Sequence, residues 1–148
     1  MAGIYAGYEE RQTALRKGRR LILDSNIIIY SILPEALDLR ALILRPTAAC
    51  SAISCVEAQG FHRITEVDKA RFTVVFETLA VLPVTDAIIE QATKLRQQRK
   101  MSLGDAIIAG TCLVHNQALV TRNTMDFDWI ARLTLYNPFD PAAQILVN

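Results

Sequence analysis

The chain has 148 residues, 51% of them hydrophobic, and sixteen basic residues against fifteen acidic ones leave a formal net charge of +1. That length suits one domain burying about two-thirds of its unfolded surface, and the balanced charge gives no global pull towards nucleic acid or membrane. No apolar run approaches the roughly 18 residues of a membrane span, and three cysteines with two histidines, lacking C-x-x-C spacing, predict reduced thiols in a soluble cytoplasmic protein rather than a zinc site.

Residues 1–20 stand apart as a basic N-terminal extension. Arg16-Lys17-Gly18-Arg19-Arg20 could be part of a loosely ordered leader or an aid to phosphate binding. Leu21 to Leu23 reads as a buried strand that stops at Asp24. Ser25 and Asn26, both good N-cap residues, open a helix through Ile27 to Tyr30, although the β-branched residues there also suit a strand. Pro34-Glu35 suits the opening of a second helix whose apolar side is Leu37, Ala41 and Leu44. Ala48 to Ser51 is a weak second strand. Ser54 is expected to start a helix carrying Val56, Phe61 and Ile64, with Glu57 at capping-box spacing.

Residues 67–79 give an amphipathic helix through Val67, Ala70, Val74 and Leu79, and Ala80 to Val84 a short strand that Pro83 places at an edge or a strand end. Asp86 to Lys100 reads as a surface helix, with Ile88, Ile89, Ala92 and Leu95 buried and Lys94, Arg96, Arg99 and Lys100 loading its last turns. Ser102-Leu103-Gly104-Asp105 opens an uncharged helix, buried on most sides, in which Ala106, Ala109 and Gly110 permit close approach to the sheet. Leu119-Val120-Thr121 is a strand, Arg122 to Asp128 a polar loop, and Leu133 to Tyr136 a last strand. Strands alternating with helices predict a single α/β domain over residues 21–148, a mostly parallel central sheet with helices on both faces.

Four acids stand out by placement: Asp24 at a strand end, Glu57 and Asp105 in first turns of helices, and Asp126 in the loop after Thr121. Singly each has an ordinary explanation as a cap, a dipole partner or a loop polar group. Together they are expected on one edge of a parallel sheet, where ligands bind. Carboxylates gathered without cations repel one another, and a hard divalent cation such as Mg²⁺ or Mn²⁺ relieves that repulsion. The chemistry that follows is metal-assisted hydrolysis, with phosphoryl-type substrates favoured.

These same stretches resemble a family. Leu21-Ile22-Leu23-Asp24-Ser25-Asn26, Ile53-Ser54-Cys55-Val56-Glu57, Leu103-Gly104-Asp105-Ala106-Ile107-Ile108-Ala109 and Leu119-Val120-Thr121-Arg122-Asn123-Thr124-Met125-Asp126-Phe127 are similar, in order, to the motifs of PIN-domain ribonucleases. Their order and spacing suit the VapC-type toxins of bacterial toxin–antitoxin pairs. The resemblance implies a Mg²⁺- or Mn²⁺-dependent endoribonuclease, usually a homodimer, restrained by a cognate antitoxin protein and cutting an RNA substrate to leave a 5′-phosphate. It carries Asp24, Glu57, Asp105 and Asp126 over as the catalytic and metal-binding acids, with Asn26, Thr121 and Asn123 in support. Asn123 and Asp128 compete with Asp126 for the fourth place; Phe127 after Asp126 favours the latter.

Arg122, Arg96, Arg99 and Lys100 are candidates for positioning RNA, or simply a solvated surface. Two other phosphoryl chemistries fit poorly. A haloacid-dehalogenase phosphatase needs an acid where Asn26 stands, and a receiver domain needs a lysine near its end, whereas none follows Lys100. A non-catalytic RNA- or protein-binding module on the same fold is the rival from another class.

Overall fold

The structure, a computed structural model, describes residues 20–140. The basic extension expected over residues 1–20 lies, apart from Arg20, outside the described residues. In chain order the elements are β1 (Leu21–Leu23), α1 (Ser25–Ser31), α2 (Leu37–Ile43), β2 (Ala48–Ser51), α3 (Ala52–Gln59), α4 (Glu66–Thr78), β3 (Ala80–Leu82), α5 (Asp86–Gln98), α6 (Leu103–His115), β4 (Ala118–Val120) and β5 (Leu135–Tyr136). A single 3-10 turn, Thr124–Asp126, lies between β4 and β5.

The five strands form one wholly parallel sheet in the order β3-β2-β1-β4-β5. Each central strand divides its side chains between two cores, as a period of two requires. Leu21 and Leu23, Ala48 and Cys50, and Ala118 and Val120 point to the face covered by α1 to α4, where Ile27, Ile28, Leu42 and Phe72 pack. Ile22, Ala49 and Leu119 point to the other face, against Leu95, Ile108, Ala109 and Cys112 of α5 and α6. Both faces are covered, so the strands read as unbroken apolar runs. The edge position of β3, ended by Pro83, matches the expectation.

Several helix readings shift on inspection. Pro34 does not open α2: it sits in a turn closed by the Ala36 N–H on the Leu33 carbonyl, and the helix begins at Leu37. Proline's fixed φ suits the second residue of such a turn equally well. The side of α2 that packs inward is Leu39, Leu42 and Ile43, leaving Leu37, Ala41 and Leu44 exposed. In α4, Phe72 is buried while Val67, Ala70 and Val74 face outward, and in α5 Ile89 is exposed beside the buried Ile88, Ala92 and Leu95. Both α2 and α4 therefore carry apolar residues on faces the fold does not use. Ser51, not Ser54, caps α3, its hydroxyl accepting from the Ile53 N–H; the helix ends at Gln59, before Phe61 and Ile64.

Gly110 marks a close helix contact, with α5 rather than with the sheet. A Cβ built on it would lie 3.0 Å from the Ile88 carbonyl oxygen and 3.3 Å from the Ala92 nitrogen. Both are backbone atoms of α5 and cannot swing aside. Gly110→Ala is therefore expected to lower stability by about 1–3 kcal/mol, although alanine is by about 1 kcal/mol the better helix former. Urea denaturation reads this directly, and a midpoint equal to the wild type's would contradict the contact.

Candidate active site

The strand order reverses between β1 and β4, since the chain runs outward through β2 and β3 and returns to pair β4 with β1. In open parallel sheets a crevice opens at such a switch point beyond the carboxyl ends of the strands. Asp24 follows β1 and Thr121 follows β4, so both stand at that crevice. The Asp24 N–H donates to the Val120 carbonyl at 2.9 Å, extending the ladder by one residue and fixing where the side chain leaves the sheet.

Asp24 occupies the N-cap position of α1 but makes no side-chain cap to that helix. Its carboxylate instead accepts from Thr121 Oγ1 at 2.8 Å, and Thr121 Oγ1 accepts in turn from the Asn123 N–H at 3.0 Å. Asp24 is only 3% exposed. Burial pushes its carboxyl up from 3.8 to about 6, and the charges of Asp105 and Glu57 push the same way against the Thr121 hydroxyl and the Ser25 backbone N–H. Burial also raises Asp105, opposed by the Ser102 hydroxyl and reinforced by Asp126 and Glu57. Asp24, Glu57 and Asp105 are thus near enough to feel one another's charge, and Asp126 near enough to be felt by Asp105. Among the described residues no lysine or arginine is ion-paired with any of them, the pairs on α4 and α5 being remote surface contacts.

Glu57 reaches this edge from the second turn of α3. Ser25 Oγ lies 2.9 Å from Glu57 Oε1 and 2.8 Å from Ser54 Oγ. With a single proton, Ser25 satisfies both neighbours by donating to the carboxylate and accepting from Ser54. Ser25 and Ser54, expected as helix caps, are instead the buried tie that aims Glu57. The signal was available: Ser54 and Glu57 are three residues apart and share one helical face. Asp105, in the first turn of α6 behind its Ser102 cap, lies at the same edge because α6 runs antiparallel to the strand that follows it.

Among the residues considered for the fourth place, Asp126 closes the 3-10 turn and lines a cavity shared with Asp105. Asn123, Asp126 and Asp128 are all exposed, and Asn123 contributes its backbone N–H to Thr121. Phe127, fully buried in the α5–α6 core, anchors this turn. Asn26 is half-buried in the first turn of α1.

The candidate cations part into two groups. Arg96, Arg99 and Lys100 line the cavity with Asp105 and Asp126. Arg122 lines a different one, its guanidinium carbon 4.7 Å from the Phe139 ring centre and 5.4 Å from that of Tyr30. Trp129 and Gly104, which the sequence reading passed over, also border the site; a Cβ on Gly104 would fall 2.7 Å from Glu57 Oε2. Cys112 is buried and Asp24's charge adds to the burial that raises its thiol, so it stays protonated.

No three His, Cys, Asp or Glu side chains among the described residues are drawn together closely enough to hold a metal ion unaided. The donor chemistry nevertheless fits a hard divalent cation. Every acidic donor is an oxygen, no lysine or arginine among the described residues is ion-paired with the acids, and Mg²⁺ takes only one or two carboxylates alongside water and substrate phosphate.

A parallel α/β domain with a carboxylate-lined crevice at its switch point is the class this fold and site define. Residues 21–133 match the PIN domain family model, and the chain belongs to that family. None of the curated proteins matches the sequence. Among solved structures, the chain is similar to one in a toxin-antitoxin complex from Klebsiella pneumoniae, with 28% identity, a TM-score of 0.64, and coverage of 80% of this chain and 98% of that one. VapBC-1 from nontypeable Haemophilus influenzae gives 27% identity and a TM-score of 0.62, over 79% and 96% of the two chains. DNA-bound VapBC from Salmonella typhimurium shares the fold at 20% identity, with a TM-score of 0.70 over 80% and 97%. The VapC-type likeness read from the motifs recurs in these neighbours.

Proposed function

We propose that this PIN domain is a divalent-metal-dependent endoribonuclease and the toxin of a toxin–antitoxin pair. The observation that carries the reading is Asp24: a carboxylate 3% exposed at the switch point, under the charges of Asp105 and Glu57, with no basic partner among the described residues. A fold keeps such a destabilised group where chemistry requires it. Asp24, Glu57, Asp105 and Asp126 would hold Mg²⁺ or Mn²⁺, which when bound supplies positive charge against the phosphodiester and acidifies a water. Thr121 holds the Asp24 carboxylate in one orientation, and Ser25 does the same for Glu57. Asp126, on its short turn, lines the cavity with Asp105.

The partner reading draws on the outward apolar residues. Leu37 and Leu44 of α2 and Val67 and Val74 of α4 are exposed, and a cavity of about 490 Å³ between the two helices is lined by Ile32, Arg40 and Val74. Unused apolar faces on adjacent helices suit an antitoxin segment or a second subunit. Among the described residues no helix is long and apolar enough to cross a membrane.

The test uses the purified chain freed of any partner. Single-stranded RNA should be cut on adding Mg²⁺ or Mn²⁺, cutting should stop with a chelator, and Asp105→Asn should not cut while melting as a folded protein. RNA that is bound but left intact with either metal would replace this reading with the non-catalytic binding module.

A further inference from the structure

Beside the acids lies a cavity of about 500 Å³, large enough for a small organic ligand. Its lining carries both signs of charge. Arg96, Arg99 and Lys100 share the lining with Asp105 and Asp126, and Trp129 completes it. Three interactions fix this arrangement before any ligand arrives. Trp129 Nε1 donates to the Asp126 carbonyl at 3.1 Å, tying the ring to the turn that carries the acid. The Arg99 guanidinium carbon sits 5.7 Å from the Trp129 ring centre, and Arg96 Nε donates to the Met101 carbonyl at 3.2 Å.

We propose that this cavity is a base-binding subsite, which takes one unpaired nucleobase next to the scissile phosphate and stacks it on the Trp129–Arg99 pair. The proposal rests on the ribonuclease reading of the acids. A guanidinium held over an aromatic ring offers a flat plane on which unstacked RNA bases settle, while a base paired within a duplex cannot leave its stack to enter. Lys100 and Arg96 meet the phosphates flanking that base. A cationic peptide side chain entering from the same direction would meet three like charges, so an anionic strand is the better occupant. Trp129 thereby selects single-stranded RNA and sets which base is accepted at the cut. Arg122, held by Tyr30 and Phe139 in another cavity, has no part in it.

The chain contains one tryptophan, so tryptophan emission, excited where the four tyrosines do not absorb, reports on this cavity alone. Asp24→Asn protein, which leaves substrate whole, is titrated with a short labelled single-stranded RNA, the same strand lacking one base at the cleavage position, and the matching duplex. Tryptophan emission should change and saturate along the same curve as the polarisation of the labelled strand. Removing the base should weaken binding about 10-fold, and the duplex should leave the emission unchanged. Trp129→Ala should abolish the preference for the intact over the abasic strand, and Trp129→Phe, which keeps a ring and guards against a folding defect, should restore most of it. Saturable RNA binding with unchanged emission, or equal affinity for intact and abasic strands, overturns the subsite. Wild-type cleavage with added metal is scored separately: cutting that is indifferent to Trp129 defeats the subsite alone, and absence of both cutting and binding defeats the ribonuclease reading with it.

Discussion

Asp24→Asn is expected to abolish RNA cleavage and, at pH 8, to make the metal-free protein more stable. The two effects have one cause. Asp24 is buried at the switch point, where desolvation raises its carboxyl from 3.8 to about 6. A folded-state value above the unfolded one means that the folded chain binds the proton more tightly. Its contribution to stability is fullest below about pH 4, is lost as the pH rises towards 6, and is flat beyond. The rise corresponds to about 3 kcal/mol against the folded state once the group is charged. Asparagine keeps the shape and can still accept from Thr121, but it cannot ionise.

The variant should therefore melt several degrees above wild type at pH 8, with the difference closing by pH 4. Cleavage should fall about a hundredfold or more, since the lost carboxylate would hold the metal that stabilises the transition state. Millimolar Mn²⁺ should raise the wild-type melting temperature and leave the variant's nearly unchanged. A variant that melts lower than wild type at pH 8 would show that the Asp24 charge is compensated in the fold, and retained cleavage would remove Asp24 from the site.

Much of this was readable from the chain, and the reasons are local. An apolar run cut off by an acid places both a buried strand and the residue at its exit, because a parallel sheet covered on both faces leaves its strands no polar positions until they end. Alternation of strands and helices then puts strand exits and following helix starts on one edge, which is how Glu57 and Asp105 were gathered beside Asp24. The failures come from helices with apolar residues on more than one side. In α2 the stripe Leu37, Ala41, Leu44 and the stripe Leu39, Leu42, Ile43 are equally apolar, and only the packing of the sheet decides between them. Val67 and Val74 misled in the same way on α4. Ser54 satisfied a capping-box spacing with Glu57 three residues on, but Ser51 also stands at a plausible start and caps the helix. Trp129 was illegible for another reason: its importance lies in what it stands beside, Arg99 from α5 and Asp126 from the turn, and neither neighbour follows from spacing.

Gly104→Ala is expected to leave stability level or slightly raised and to lower cleavage about 10- to 100-fold. Gly104 is the second residue of α6, and a Cβ there would lie 2.7 Å from Glu57 Oε2 and 2.9 Å from Oε1. The three nearest atoms all belong to that carboxylate, so the nearest clash falls on the free end of one side chain. Glu57 would have to swing away, breaking the 2.9 Å bond that Ser25 makes to Oε1. Displacing one reacting or metal-holding group by about 1 Å can cost about a hundredfold in rate. Alanine in place of glycine meanwhile favours the helix by about 1 kcal/mol. Divalent ion should be needed at higher concentration for half-maximal cleavage, a change that loss of fold would not mimic. Unchanged cleavage would place Glu57 outside the working site. The contrast with Gly110→Ala makes the test sharp: the same substitution, six residues along the same helix, meets the α5 backbone and should destabilise the fold. One glycine keeps two helices close, and the other keeps open the space in which a carboxylate stands.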